Sequence, residues 1–158
     1  MAHRFSSDPS EVSARMRLIR SKDTKPEMLL FSILKAAGIK FRRHVRIQNI
    51  TVDVLVGKHI VVFVDSPFWH LRSFKDLSRM SPYWQQKLLR NWARDRRQER
   101  RLRRSGLCVV RLWADRLDPE HVLRRIKSVR LGAKYRMLQN PISNSFVIKR
   151  RHRRREPE

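Results

Sequence analysis

The sequence predicts an α/β domain, and three observations carry that expectation. A helical apolar repeat follows a Thr-Lys-Pro-Glu start, β-branched segments come next, and a long polar helix separates the last strand from the others. The 158 residues suffice for one hydrophobic core with tails, and are few for two full domains. Hydrophobic residues make up 41% of the chain, so the charge sits on the surface and termini rather than displacing a core.

Taken in order, Ser7 or Asp8 can cap a short helix that carries Pro9 in its first turn and runs through Ile19. Thr24-Lys25-Pro26-Glu27 has the spacing of a capping box, and Leu29, Leu30, Ile33, Leu34 and Ala37 repeat at helical period until Gly38. Phe41, Val45 and Ile47 alternate with Arg42, His44 and Arg46, a half-buried strand with the polar residues outward. After a Gln48-Asn49 turn the pattern continues through Val52, Val54 and Val56, and Gly57-Lys58 marks the next turn. Ile60 to Val64 is a continuous apolar run suited to a strand covered on both faces. Pro82 opens a polar helix to about Arg104, Leu107 to Trp113 form a fourth strand, and Pro119 to Val129 a last amphipathic helix. The expected organisation is a flexible N-terminus over 1–9, a domain over 10–130 and a basic C-terminal tail over 131–158.

Lysine and arginine total 38 against 14 acidic residues, a formal charge of +24. Such a field attracts polyanions, and nucleic-acid phosphates fit best because neutralising them releases condensed counterions. Mere solubility is the plainer explanation of the same charge. No apolar run approaches the ~20 residues of a bilayer span, and Met1 to Ser10 lacks a signal-peptide core, so the expectation is a cytoplasmic protein, associated with the nucleoid if bacterial. The single Cys108 permits no intrachain disulfide and no cysteine-rich metal cluster.

Asp53 stands within the apolar strand Thr51 to Val56, where a carboxylate is costly unless a cation or hydrogen-bond donors compensate it. A salt bridge to an arginine would do so, and so would a metal. The next strand ends in Val64-Asp65, so two carboxylates and a strand-end carbonyl could offer the hard oxygen ligands magnesium prefers. Phe68-Trp69-His70 follows. The aromatics could wedge between bases or plug the sheet, and the imidazole of His70 could act as a general base. On their own, Glu27 is a capping residue and Asp95 a helical ion-pair partner.

Read together, Met16-Arg17-Leu18-Ile19-Arg20-Ser21-Lys22-Asp23-Thr24-Lys25-Pro26-Glu27, Asp53, Phe68-Trp69-His70, Tyr83-Trp84, Asn91 and Arg94-Asp95 resemble the very-short-patch (Vsr) repair endonucleases over residues 10–115. The resemblance implies the PD-(D/E)XK restriction-endonuclease-like fold, a central mixed sheet flanked by helices. It implies Mg2+ held by Asp53 and the backbone carbonyl of Val64, a water prepared by His70 with Glu27, and Asp95 completing the acidic set. It also implies that Phe68, Trp69 and Trp84 intercalate in double-stranded DNA beside a T:G mismatch, with Met16, Arg20, Lys87 and Asn91 at recognition positions. Lys87 and Asn91 lie four residues apart, so on a helix they share a face, which is also what a solvated surface would show.

Two departures accompany the resemblance. The family's zinc-ligand positions are Pro67, Arg72, Phe74 and Asp115, which make no workable set, so no structural zinc is expected. Asp65 replaces a family histidine and could serve as an extra magnesium ligand or alter leaving-group protonation. The expected activity is magnesium-dependent nicking of one DNA strand by a monomer. Two alternatives stand beside it: a sequence-reading homing-type or mobile-element nickase on the same fold, and a DNA-binding protein with a degenerate nuclease core.

Overall fold

The computed structural model describes residues 22–70, 77–78 and 80–139, with 132–139 described as backbone. The expected first helix to Ile19, and with it Met16 and Arg20, lies outside the described residues, as do Arg72, Phe74 and the tail beyond 139.

Helix α1 spans Lys25–Ala36, β1 Phe41–Ile47, β2 Ile50–Val56, β3 Ile60–Asp65, α2 Pro82–Arg104, β4 Cys108–Trp113 and α3 Pro119–Gln139. The four strands form one sheet in the order β1-β2-β3-β4. The first three are antiparallel neighbours, and β4 lies parallel to β3. A parallel neighbour requires a crossover, which α2 supplies. The sheet is therefore mixed.

Sequence explains most of the boundaries. Gly38, at φ 65, ends α1 by donating to Lys35 O while Ile39 N donates to Leu34 O, and Gly106, at φ 79, ends α2 with the same pair of bonds to Arg103 and Leu102. Glycine adopts this left-handed conformation without steric cost. Gln48 and Asn49 both have positive φ between the paired Ile47 and Ile50, the two-residue turn that matches strand twist. The last helix, expected to end at Val129, continues to Gln139.

The capping box expected at Thr24 does not form: among the described residues Thr24 makes no side-chain cap bond. Glu27, the residue that would complete it, is buried.

Two apolar clusters cover the sheet. On one face Leu30, Phe31, Ile33 and Leu34 of α1 and Val122 and Ile126 of α3 pack on Val54, Val56, Ile60, Val62, Val110 and Leu112. On the other, Leu102 of α2 packs with Ile50, Val52, Leu55, Val61, Phe63 and Val109. Val52 and Val54 have the same parity, yet they belong to opposite clusters. So do Phe41 and Val45 in β1. A regular strand keeps such residues on one face. The reversal falls at the pair His44 and Asp53, which is missing from the β1–β2 register between Arg43↔Val54 and Val45↔Val52. His44 has φ 48, and the ladder breaks there. His44 is consequently half-buried, not an outward residue of an alternating strand.

Candidate active site

The ladder break opens the middle of the sheet to a carboxylate. The β2–β3 register runs from Val56↔Ile60 to Val54↔Val62. Beyond it the Val64 N–H donates to Asp53 Oδ2 at 2.8 Å. This side-chain bond answers the backbone donor that the strand pairing leaves behind. Burial pushes the Asp53 carboxyl up from 3.8 to about 6; the Val64 N–H opposes the rise, the charges of Glu27 and Asp65 add to it, and His44 opposes it. Asp53 thus lies between two groups, one toward α1 and one toward α2.

On the α2 side, His70 Nδ1 lies 2.6 Å from Asp95 Oδ2. His70 occupies the turn after β3, positioned by its N–H donating to Ser66 O at 3.1 Å. Asp95 projects from α2 and also accepts from Arg94. Burial raises the Asp95 carboxyl, but the hydrogen bond and charge of His70, with Arg111 and Arg94, outweigh it and hold the group below its ordinary 3.8. An ionised Asp95 accepts only, so His70 Nδ1 carries the hydrogen between them and Nε2 is the basic nitrogen of the neutral ring. Arg111 Nη2 approaches the same Nδ1 at 3.3 Å. Two donors cannot bond each other, so that approach is an electrostatic contact.

Arg111 itself grips Asp65, with Nε donating to Oδ2 at 2.5 Å and Nη2 to Oδ1 at 2.7 Å. The pair is a fork on a carboxylate whose side chain is 3% exposed. Burial would lower the guanidinium, but the Asp65 bonds and the charges of Asp65, Asp95 and Glu99 raise it above its usual value. Both Asp65 oxygens therefore face Arg111, which positions this carboxylate differently from Asp53. A cleft of about 360 Å³ opens against Asp65, His70, Asp95 and Arg111. Arg111 went unremarked in the sequence, though it interrupts the apolar strand Val109-Val110-Arg111-Leu112 as Asp53 interrupts its own.

On the α1 side, Glu27 is buried near Asp53, and among the described residues its Oε2 finds no hydrogen-bond partner. His44 Nε2 lies 3.7 Å from that oxygen and 3.2 Å from Asp23 Oδ1.

The expected wedge residues come together. Phe68, Trp69 and Trp84 have ring centroids 4.9 to 5.7 Å apart, mostly edge to face, and Phe68 is 39% exposed. Lys87 holds its ammonium 5.1 to 5.6 Å from the rings of Trp69, Tyr83 and Trp84 and donates to the Tyr83 hydroxyl at 3.2 Å. Asn91, half-buried, lies one helical turn further along α2. Further still, Arg97, Arg100, Arg101 and Arg104 line a basic hollow toward the end of α2.

The donor set suits a hard divalent cation. A half-buried aspartate whose charge finds no arginine or lysine bridge among the described residues, beside the buried carboxylate of Glu27, lacks the positive charge that would make ionisation favourable. No helix among the described residues is long and apolar enough to cross a membrane.

The family model of the DNA mismatch endonuclease Vsr matches residues 6–76. The type II nicking enzyme V.XorIIP of Xanthomonas oryzae pv. oryzae is 35% identical over 103 residues, covering 62% of this chain and 75% of that protein. The DNA mismatch endonuclease Vsr of Escherichia coli is 32% identical over 114 residues, covering 67% of this chain and 70% of that protein. Among solved structures, the catalytic domain of the homing endonuclease I-Bth0305I superposes with a TM-score of 0.51 at 20% identity, over 70% of this chain and 98% of that domain, so the fold is restriction-endonuclease-like. With a nicking enzyme matched at 35% identity over three quarters of its length, the chain belongs to the Vsr DNA mismatch endonuclease family and is a DNA strand-nicking endonuclease.

Proposed function

We propose that this endonuclease hydrolyses one phosphodiester of duplex DNA at or beside a T:G mismatch, with His70 as general base and Mg2+ at Asp53. The observation that carries the reading is the His70–Asp95 pair at 2.6 Å, with His70 Nδ1 3.6 Å from Asp65 at the end of the strand whose Val64 N–H binds Asp53. Asp95 fixes the ring tautomer, so Nε2 can take a proton from water while the imidazolium that forms remains paired. The Asp53 carboxylate and the Val64 carbonyl would hold the ion, which supplies positive charge to the phosphate and the departing oxygen. Glu27 adds a second carboxylate on the α1 side. Asp65, gripped by Arg111, serves to anchor that arginine beside the cleft instead of coordinating the ion.

Mismatch preference rests on the Phe68, Trp69 and Trp84 cluster with Lys87 above it. Opening the cluster into a base step would replace ring–ring contacts by base stacking, about 1–3 kcal/mol per base. A mismatched step is easier to unstack than a paired one. The E. coli relative bears the name of a mismatch endonuclease, and the other relatives that of nicking enzymes.

Matched and T:G-mismatched duplexes, each strand labelled in turn, should be incubated with the protein in Mg2+ or in chelator. The expected result is a single cut in one strand, faster on the mismatch and absent in chelator. Equal cutting of both duplexes would sink the mismatch assignment, and undiminished cutting in chelator would sink the metal assignment.

A further inference from the structure

We infer that the outward face at the end of α2 is a second nucleic-acid docking site, which takes the phosphate backbone of a duplex segment other than the one in the cleft. Arg97, Arg100, Arg101 and Arg104 converge there on a hollow of about 490 Å³, with Ser105 completing its lining. All four arginines are exposed. They are spaced three or four residues apart, so each meets its helical neighbours in the set as a like charge. Among the described residues no carboxylate pairs with any of them, whereas on the same helix Arg94 pairs with Asp95 and Arg103 with Glu99. An anion between them would relieve a repulsion that the fold leaves standing. The helix dipole favours basic groups in the last turn, which accounts for Arg101 and Arg104 but not for Arg97 and Arg100 before it.

Two of the guanidinium groups are held in place. Arg101 Nε donates to Gln48 Oε1 at 3.2 Å, and Gln48, in the turn between β1 and β2, donates to Ser105 Oγ at 2.6 Å. Arg100 Nε donates to Arg96 O at 3.3 Å. In both, the inner nitrogen serves a neutral acceptor and leaves the terminal nitrogens for the paired oxygens of a phosphate. A repeating anion fits better than a scattered one. Arg97 to Arg104 covers ~10 Å of helix, about three phosphate steps along a strand.

The hollow looks away from the reaction. Asp95 lies on the buried stripe of α2 with Leu88 and Leu102, and the four arginines stand roughly 140–240° around the axis from it. The cleft at His70 and Asp95 shares no lining residue with the hollow, and a helix ~10–12 Å thick lies between them. A duplex seated at His70 therefore leaves these arginines to another segment. Holding two segments at once would let the enzyme pass from one to the next without leaving DNA.

The test uses the full chain in chelator, so that no DNA is cut and neither the metal nor the mismatch assignment is at issue. A short matched duplex is immobilised, saturated with protein and offered a labelled second duplex. Wild type is compared with the triple variant Arg97→Gln, Arg100→Gln and Arg104→Gln; Arg101 is kept because its bond to Gln48 ties the hairpin turn to α2. We expect wild type to capture the labelled duplex. The triple variant should hold the immobilised duplex as before, yet capture at least ~10-fold less, with the salt slope of capture reduced by about 3. Arg104→Gln alone, a change confined to the last turn, should reduce that slope by about 1. No capture by wild type, or unchanged capture by both variants, would overturn the site. So would an equal loss of hold on the immobilised duplex, since the arginines would then belong to the segment in the cleft. Polyglutamate that displaces the labelled duplex as well as unlabelled DNA does would overturn the nucleic-acid assignment. Circular dichroism on each variant reports the fold.

Discussion

Replacing Asp53 with asparagine should make the metal-free protein more stable while abolishing nicking. The rise of the Asp53 carboxyl from 3.8 to about 6 is equivalent to about 3 kcal/mol between its two protonation states. Because the folded value lies above the unfolded one, the stability tied to this group is complete below 3.8 and is lost as pH rises through about 6. An asparagine carries no charge and keeps an oxygen to accept the Val64 N–H, so the variant escapes that loss. Urea unfolding in chelator should show the two proteins alike near about pH 4 and the variant ahead by ~2–3 kcal/mol near about pH 8. Saturating Mg2+ should narrow the gap from the other side, by about 2.7 kcal/mol at one hundred times its dissociation constant, since only the wild type gains. A difference that does not change with pH, or a variant less stable at about pH 8, would refute the claim that Asp53 is held ionised against its surroundings.

Two further outcomes follow from the α2 side of the site. Arg111→Met strands the Asp65 carboxylate and should cost about 3–5 kcal/mol, while Asp65→Leu with Arg111→Met should recover most of it; equal losses in the single and double variants by urea unfolding would contradict the fork. Asp95→Asn should lower the single-turnover nicking rate by about 10²–10⁴-fold through the orientation of His70. Because Asp95 is held below its ordinary value, its contribution to stability is present above 3.8 and disappears as pH falls through the lower folded value, so the Asp95→Asn stability deficit at neutral pH should vanish in strong acid.

How legible this arrangement is depends on the range of the interactions involved. The strands announce themselves locally, since Ile60 to Val64 has no other plausible place than a covered sheet, and the ends of α1 and α2 are written in Gly38 and Gly106. Asp53 is legible as a cost: a charge in an apolar strand must be compensated. Arg111 carried the same signal and went unread, because the arginine excess makes any one arginine look like surface. The pairing of His70 with Asp95 joins a turn to a helix 25 positions away, a distance that no periodicity spans, and the resemblance named both residues without pairing them. His44 was misplaced because alternation extrapolates from neighbours, and its left-handed backbone is where alternation stops. Glu27 fitted a capping box by spacing, but Thr24 does not cap and the glutamate turns inward.

Position 44 also behaves as a hinge pin for the hairpin tip. Ile47, Ile50 and Val52 reach the α2 face only because the two strands exchange faces at His44 and Asp53. A valine or isoleucine there would resist positive φ and favour an unbroken ladder. Straightening the strands would rotate everything beyond the pair: the apolar tip residues would leave Leu102, and the Asp53 carboxylate would leave the Val64 N–H. In a strand that otherwise welcomes β-branched residues, this single position should reject them, and a saturation library at residue 44 would be expected to retain asparagine, aspartate and glycine beside histidine.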